Sequence, residues 1–199
     1  MKKIITFMLL CNLLFPLCAT PDRSVWVIDT LVGLTNNSYV IKQYVHDNMQ
    51  SHYENRVQVY IIEKDLKTNK IIKNLKVTEY IEIVNYDTGE RKRDNRSEDK
   101  ILEIISNNPE LFYNIYYVFP IGLPNGHKER SRLVNNEVLI NDGNENITKY
   151  QLDDHVKLDA SAQRIIEEYE IQKYRILLIE FGEPSFESNY YQKIVVLER

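Results

Sequence analysis

Asp153-Asp154-His155, followed by Asp159, forms a cluster of several acids with a histidine. A carboxylate can orient a histidine that acts as a general base, and the same groups can hold a divalent metal ion. There is no second histidine nearby and no H-E-x-x-H pattern. We therefore favour a polar approach to a helix capped by Asp159. Asp153, Asp154 and His155 remain candidate binding residues, and the alternative is a hydrolase that uses these carboxylates or the histidine.

Aromatic residues crowd a second segment. Phe112 and Phe119 flank Tyr113, Tyr116 and Tyr117. Tyrosine combines an apolar ring with a polar tip, which suits carbohydrate and protein surfaces. The same residues are good strand formers, and we favour sheet packing for most of them. Tyr113, Tyr116 and Tyr117 are nevertheless our candidate binding residues for a partner.

The segment that starts at Asp142 resembles the beginning of a calcium loop. Asp142, Asn144 and Asn146 occupy alternate positions and could supply oxygen ligands. The sixth position, which should be glycine, is Ile147, and the twelfth, which should be glutamate, is Asp153. We interpret the segment as a turn rich in Asn and Asp between two strands, and we predict no metal and no cofactor.

Other charged motifs are weaker. The run from Glu90 to Arg96 is basic but contains acids, which favours a solvated hairpin end over a phosphate site. His46, His52 and His127 are expected to be surface residues. No G-x-S-x-G elbow and no glycine-rich nucleotide loop is present. The sequence therefore predicts a protein that is not an enzyme.

The first nineteen residues predict export. Lys2 and Lys3 precede an apolar run from Ile4 to Leu14, and Ala19 offers a cleavage site. That order is typical of a secretory signal peptide, and the run is too short for a comfortable membrane span. We expect cleavage after Ala19 and a periplasmic or secreted protein of residues 20–199, organised as a single domain.

Both cysteines of the chain, Cys11 and Cys18, lie in this leader. Cleavage after Ala19 leaves a mature chain with no disulfide and no cysteine nucleophile. The alternative is a lipoprotein anchored through Cys18, but Leu17 stands where such signals want a small residue.

The net charge and the residue composition limit the classes of partner that the protein is expected to bind. The whole chain carries a net charge of −4, and removal of Lys2 and Lys3 with the leader makes the mature chain more acidic. Acidic charge disfavours nonspecific binding to nucleic acid or to an anionic membrane. Ile, Asn, Lys and Tyr, all encoded by AT-rich codons, are abundant and Ala is scarce, which favours a bacterial source.

Alternating hydrophobic residues predict a β-rich chain. Strands are expected at 25–33, 39–45, 57–93 (a meander), 113–119, 138–140, 148–152, 175–181 and 190–197, the last two as a hairpin. One helix is expected after Ser97, with Ile101, Leu102, Ile104 and Ile105 on its apolar face. A second is expected after Asp159, with Ile165, Ile166 and Tyr169 on one face.

These observations together predict an exported α+β protein. Its fold is mainly an antiparallel sheet, meander-like in the first half, with two helices packed on it. We expect a binding module of the bacterial cell envelope that meets a protein partner through an aromatic surface or an exposed strand edge.

Overall fold

Strands dominate the protein in the computed structural model. It describes residues 22–35, 37–85, 87–94, 98–109, 131–141, 147–171, 173–185 and 188–198. The predicted signal peptide, the Asp142–Asn146 turn and the candidate binding residues Tyr113, Tyr116 and Tyr117 lie outside these ranges.

Twelve strands form two sheets in the described ranges. The strands are β1 (Val25–Leu34), β2 (Ser38–Asp47), β3 (Glu54–Asp65), β4 (Ile71–Asn85), β5 (Glu90–Arg93), β6 (Glu98–Asp99), β7 (Ser131–Val134), β8 (Glu137–Asn141), β9 (Ile147–Gln151), β10 (Ala162–Ile171), β11 (Tyr174–Phe181) and β12 (Tyr190–Glu198). The large sheet has the order β10-β11-β12-β1-β2-β3-β4-β5, and β6 also pairs with β4. The small sheet has the order β7-β8-β9.

The meander predicted for the first half is confirmed, because β1 to β5 follow one another as antiparallel neighbours. Turn chemistry agrees with the sequence. Asp65 Oδ1 accepts a hydrogen bond from the Thr68 backbone N–H (2.7 Å) at the β3–β4 turn. Gly89 takes φ +70° at the β4–β5 turn, a conformation that glycine adopts without steric cost. The predicted β11–β12 hairpin also forms.

The first and last strands are parallel neighbours, which makes the large sheet mixed. Trp26 aligns with Tyr190, and Ile28 aligns with Gln192. The Val25 backbone N–H donates to Asn189 Oδ1 (2.9 Å) at the beginning of this pairing.

A buried charge pair follows further along β1 and β12. Lys193 Nζ lies 3.5 Å from Asp29 Oδ1, and Gln43 Nε2 donates to the same oxygen (2.8 Å). Burial lowers the pKa of Lys193, while Asp29 opposes that shift. The two halves of the large sheet are thus joined by backbone pairing and by side chains.

Helix is confined to one short segment and a 3₁₀ turn in the described ranges, so the expectation of two packed helices is wrong. The first expected helix is α1 (Ile101–Asn107), and it begins after Lys100 without a side-chain cap. Glu98 and Asp99 form β6 instead of its first turn. Ile104 is buried, but Leu102 is exposed, so the predicted apolar face is only partly correct.

The second expected helix is strand β10. It pairs along its length with β11, whose eight residues are all buried. Two register shifts interrupt the pairing, one before Arg164 and one after Ile165. A bulge adds a residue and breaks the two-residue period of a strand, so the spacing of Ile165, Ile166 and Tyr169 imitates a helical face.

Two hydrophobic clusters stabilise the fold. One runs through β1, β2, β3 and β10 to β12; its buried members are Leu34, Tyr39, Ile41, Ile62, Leu66, Tyr169, Tyr174, Ile176, Leu178 and Ile194. The other joins the small sheet to β11 and β12; its buried members are Val138, Ile140, Leu152, Leu177, Ile179, Phe181, Val195 and Leu197. The small sheet therefore covers the C-terminal strands, as a sheet with an apolar face requires.

Arg175 on β11 is a buried cation of the large sheet, with 1% of its side chain exposed. It pairs with Glu168 through Nη1 and with Glu170 through Nη2, at 3.2 Å for the latter. Ser131 of the small sheet donates from Oγ to Glu168 Oε1 (2.9 Å). The guanidinium consequently pairs with two carboxylates of β10 where the two sheets meet.

We expect Arg175→Ala to lower the free energy of unfolding by about 3–5 kcal/mol, because removal of one partner leaves two half-buried carboxylates without their cation. Urea unfolding of the two proteins measures this difference. Lys173→Ala is the matched control, because it breaks the exposed Lys173–Glu198 pair, and its loss should be much smaller. Equal losses for the two variants would contradict this account.

Candidate functional site

A pocket of about 340 Å³ opens on one face of the large sheet, and we call it the Trp26 pocket. Its floor consists of Trp26 and Ile28 on β1 with Tyr44 and His46 on β2. Trp26 aligns with His46, and Ile28 aligns with Tyr44. Side chains at alternate positions share one face of a strand, and aligned residues share the face of a sheet. Strand register alone therefore brings these four side chains together.

The aromatic rings of the floor contact one another. The centroids of Trp26 and His46 are 5.7 Å apart, and those of Tyr44 and His46 are 6.5 Å apart in a stacked arrangement. Tyr190 on β12 meets the other side of Trp26 edge-on, at 5.8 Å. These separations lie in or near the range that aromatic pairs prefer, so the rings hold each other in place.

The β11–β12 connection forms one wall through Pro184 and Ser185. Trp26 Nε1 donates to the Ser185 carbonyl oxygen (3.2 Å), which holds this wall against the floor. Gly182 shapes the connection with φ +73°, and a Cβ at this position would lie only 2.7 Å from the Asn189 carbonyl oxygen. Only glycine fits there without a shift of the backbone.

The β4–β5 hairpin forms the opposite wall through Val84 and Arg91. These two residues are aligned in the hairpin. The Arg91 side chain is 65% exposed, and its Nη1 lies 3.1 Å from Glu82 Oε2. Arg91 therefore brings a long side chain to the rim, and its charge is balanced by Glu82.

The polar end of the pocket contains Ser24, Asn48 and Asn55. Asn48 is fully buried, and its side-chain amide forms hydrogen bonds with backbone groups of the protein. Its Oδ1 accepts from the backbone N–H groups of Ser24 and Gln50 (3.0 Å each), and its Nδ2 donates to the Asp22 carbonyl oxygen (2.8 Å). Asn48 thereby fixes the entry of the chain into β1.

Asn55 differs from Asn48. It is 4% exposed, and its Oδ1 has no hydrogen-bond partner among the described residues. An unpaired buried acceptor costs about 1–3 kcal/mol. Neighbouring atoms cover this oxygen in the structure.

The groups around the pocket are electrically balanced at neutral pH. Burial lowers the pKa of His46, so its imidazole stays neutral. Burial, with contributions from Tyr80 and Glu82, raises the pKa of Tyr44 to about 12, so its phenol keeps its proton. Glu82 is paired with Arg91. The pocket is therefore an aromatic site whose one charged lining side chain, Arg91, is paired with Glu82.

The acid–histidine cluster lies elsewhere. Asp153 and Asp154 belong to a 3₁₀ turn (Leu152–Asp154), and both side chains are exposed, as is that of His155. Asp153 Oδ1 accepts from Asn136 Nδ2 (2.7 Å), and the His155 ring is 6.4 Å from the Tyr150 ring. None of the three lines the Trp26 pocket.

Asp159 caps no helix. Its carboxylate accepts hydrogen bonds from Asn189 Nδ2 (2.6 Å) and the Tyr191 hydroxyl (2.8 Å), which lowers its pKa. No group of three or more His, Cys, Asp or Glu side chains that could hold a metal ion occurs within the ranges the structure describes.

Sequence reasoning did not assign the residues of the Trp26 pocket to a site. His46 is partly buried between Trp26 and Tyr44, contrary to the expectation of a surface residue. The i, i+2 spacing of Trp26 with Ile28 and of Tyr44 with His46 was a usable signal. Asn55 gave no signal, because its burial and its missing partner depend on packing.

Comparisons with protein-family models, with curated proteins and with solved structures give no match for this chain.

The pKa of His46 predicts a pH-dependent stability. An unfolded chain takes up a proton near the ordinary value of 6.5, whereas the folded protein resists that proton until lower pH. The free energy of unfolding should therefore decrease as the pH falls below 6.5, and the contribution should be constant above that range.

Urea unfolding between about pH 5 and pH 7.5 measures this decrease. His46→Gln should show a smaller decrease than the unsubstituted protein. Tyr44→Phe is the matched control, because it alters the neighbouring ring of the floor without removing a group that titrates in this range, and it should keep the full decrease. An unchanged slope in His46→Gln would show that His46 is not the responsible group.

Proposed function

We propose that this protein is an exported binding protein without catalytic activity, and that it recognises a protein partner in the bacterial cell envelope. The Trp26 pocket is its binding site in this proposal. The observation that carries the proposal is a pocket of about 340 Å³ whose floor is built from the mutually contacting rings of Trp26, Tyr44 and His46.

The residue types of the pocket support a protein partner. Trp26, Tyr44 and Arg91 belong to the types that are enriched at the buried centres of protein interfaces. Arg91 and Ser185 are exposed on opposite walls and remain accessible to a partner that covers the opening. A pocket with an aromatic floor can accept one anchoring side chain, as interface hot spots commonly do.

A hydrolase at Asp153-Asp154-His155 gains no comparable support. A general base needs to lie within hydrogen-bond reach of a bound substrate, and these three side chains are exposed and outside the Trp26 pocket. Glu82, whose charge acts on Tyr44 and His46, is paired with Arg91. We therefore assign the pocket a binding role.

Export rests on the leader of the chain. Its basic start, apolar run and Ala19 support removal of residues 1–19 and release into the periplasm or the medium. In the ranges described by the structure, no helix is long and apolar enough to cross a membrane. Lipidation at Cys18 is the alternative, and it would anchor the same binding site to a membrane.

We expect the protein isolated from its native host to begin at Thr20, because Ala19 supplies the small residue before the cleavage site. Intact-mass measurement with N-terminal sequencing checks this expectation. A chain that begins at an acylated Cys18 would replace the soluble form with the lipoprotein form. Retention of residues 1–19 would contradict export by cleavage altogether.

A crosslinking experiment tests the binding site. A photo-reactive amino acid at Ser185, on the rim, should capture one protein from envelope extract, whereas the same group at Thr88, on the exposed β4–β5 turn, should not capture it. The captured protein is then purified for affinity measurements.

Arg91→Ala should weaken binding of that protein about tenfold, because a truncated interface arginine commonly costs more than about 1 kcal/mol. Lys173→Ala, away from the pocket, should leave the affinity unchanged. Capture that is equal at both positions, or an affinity insensitive to Arg91, would refute the assignment of the Trp26 pocket as the binding site.

A further inference from the structure

We infer that the Trp26 pocket receives one apolar side chain of the partner protein, such as that of leucine, which packs on the aromatic floor without a hydrogen bond of its own. This inference rests on the proposed function and names the chemical class of the group that the pocket recognises.

The size of the pocket suits a single side chain. Its volume of about 340 Å³ lies at the lower end of the range of about 300–1,000 Å³ for ligand pockets. Ser185 and Arg91 are exposed on the two walls. These two residues are therefore left to meet the parts of the partner that surround its anchoring side chain.

Apolar groups make up much of the lining. Ile28 on β1, Val84 on β4 and Pro184 in the β11–β12 connection supply aliphatic groups, and Trp26 and Tyr44 supply aromatic rings. A side chain that leaves water gains free energy in proportion to the apolar area that it buries. The pocket therefore favours a side chain that is apolar along its whole length.

The polar groups of the lining are largely engaged within the protein. The Asn48 amide bonds to backbone groups, and the Trp26 indole N–H donates to the Ser185 carbonyl oxygen (3.2 Å). The Ser185 and Ser188 hydroxyls share a hydrogen bond (2.6 Å). Asn55 Oδ1 is covered by neighbouring atoms, so it offers a ligand nothing. A polar side chain would therefore give up its hydrogen bonds with water and regain few of them.

The charges at the pocket disfavour an ionised side chain. Arg91 is the one charged residue among the described residues of the lining, and it stands at the rim, with its Nη1 3.1 Å from Glu82 Oε2. His46 in the floor is neutral, because burial lowers the pKa of its imidazole. A carboxylate would have to displace Glu82 from Arg91, and an ammonium group would have to displace Arg91 from Glu82. Either group would also lose water, which is costly for a charge.

The experiment compares blocked amino acids, which imitate a residue inside a protein chain, in matched pairs. N-acetyl-leucinamide is paired with N-acetyl-asparaginamide, whose side chain has a similar shape. N-acetyl-norleucinamide is paired with N-acetyl-lysinamide, whose side chain begins with the same run of methylene groups. Each probe is titrated into the protein and followed by NMR. Trp26 is the only tryptophan of the chain, so its indole N–H gives a single reporter signal where the floor meets the wall.

The leucine and norleucine probes should shift the indole signal, and each should bind about tenfold more tightly than its polar counterpart, because the polar group is buried without a hydrogen-bond partner. Equal affinities within either pair would overturn the inference, and so would tighter binding of the polar member. An indole signal that none of the four probes shifts would overturn it as well.

Ile28→Asn should reduce the preference for the leucine probe over the asparagine probe, because it removes apolar surface from the lining and adds a group that can bond to the asparagine probe. Ile72→Asn is the matched control, since it makes the same change at an isoleucine that is 57% exposed and lies outside the lining, and it should keep the preference. An equal preference in the two variants would overturn the placement of the apolar group in the Trp26 pocket. The probe comparison in the unsubstituted protein decides the inference even where Ile28→Asn fails to fold.

The two proposals fail separately. Loss of the apolar preference, with crosslinking at Ser185 intact, refutes the inference of an apolar anchor and leaves the binding function standing. A shift of the indole signal by glucose and by none of the amino-acid probes would refute the inference in favour of a sugar ligand. Absence of a specific crosslink at Ser185 refutes the proposed function, whatever the small probes do.

Discussion

The short parallel pairing of β1 with β12 is the constraint on which the other features of the structure depend. Three aligned residue pairs, beginning with Trp26 and Tyr190, join strands from opposite ends of the chain. Without this joint the large sheet would separate into the β1–β5 meander and the three antiparallel strands β10, β11 and β12. The joint also sets the floor of the Trp26 pocket against the wall that contains Ser185, because the β11–β12 connection ends where β12 begins. The site is thus a consequence of topology more than of any local motif.

Buried polar groups lie on both sides of this joint, and they differ in how fully their hydrogen-bonding capacity is used. Asp29 meets both Lys193 and Gln43, and Arg175 meets two carboxylates. Such paired groups contribute little net stability but penalise any arrangement that separates them. Asn55 Oδ1 lacks a comparable partner among the described residues. Arg175 Nε is the other buried side-chain atom without a hydrogen-bond partner in the described part of the chain, so even the paired groups leave some of their capacity unused.

The sequence was informative where hydrophobic period and turn chemistry agree. The meander could be predicted because its strands alternate and its turns are marked, as at Gly89. The β11–β12 hairpin could be predicted because two apolar runs flank a loop that contains Gly182 and Pro184. The β10 strand could not, because bulges near Arg164 and Ile165 disguise its period. The Trp26 pocket could not be predicted either. The pairing of β1 with β12 and the burial of Asn55 depend on contacts between distant parts of the chain. Long-range register carries that information.

The large distance in sequence between β1 and β12 also determines the order in which parts of the sheet can form. Asp29 and Lys193, which meet beside the joint, are 164 positions apart. Synthesis proceeds from the N terminus, so the neighbouring hairpins of the meander can form while β12 does not yet exist. Contacts between distant positions form slowly, because a long loop must close first. Trp26 therefore meets Tyr190 only after β12 has formed, so a shortened chain that ends before β12 cannot carry the Trp26 pocket.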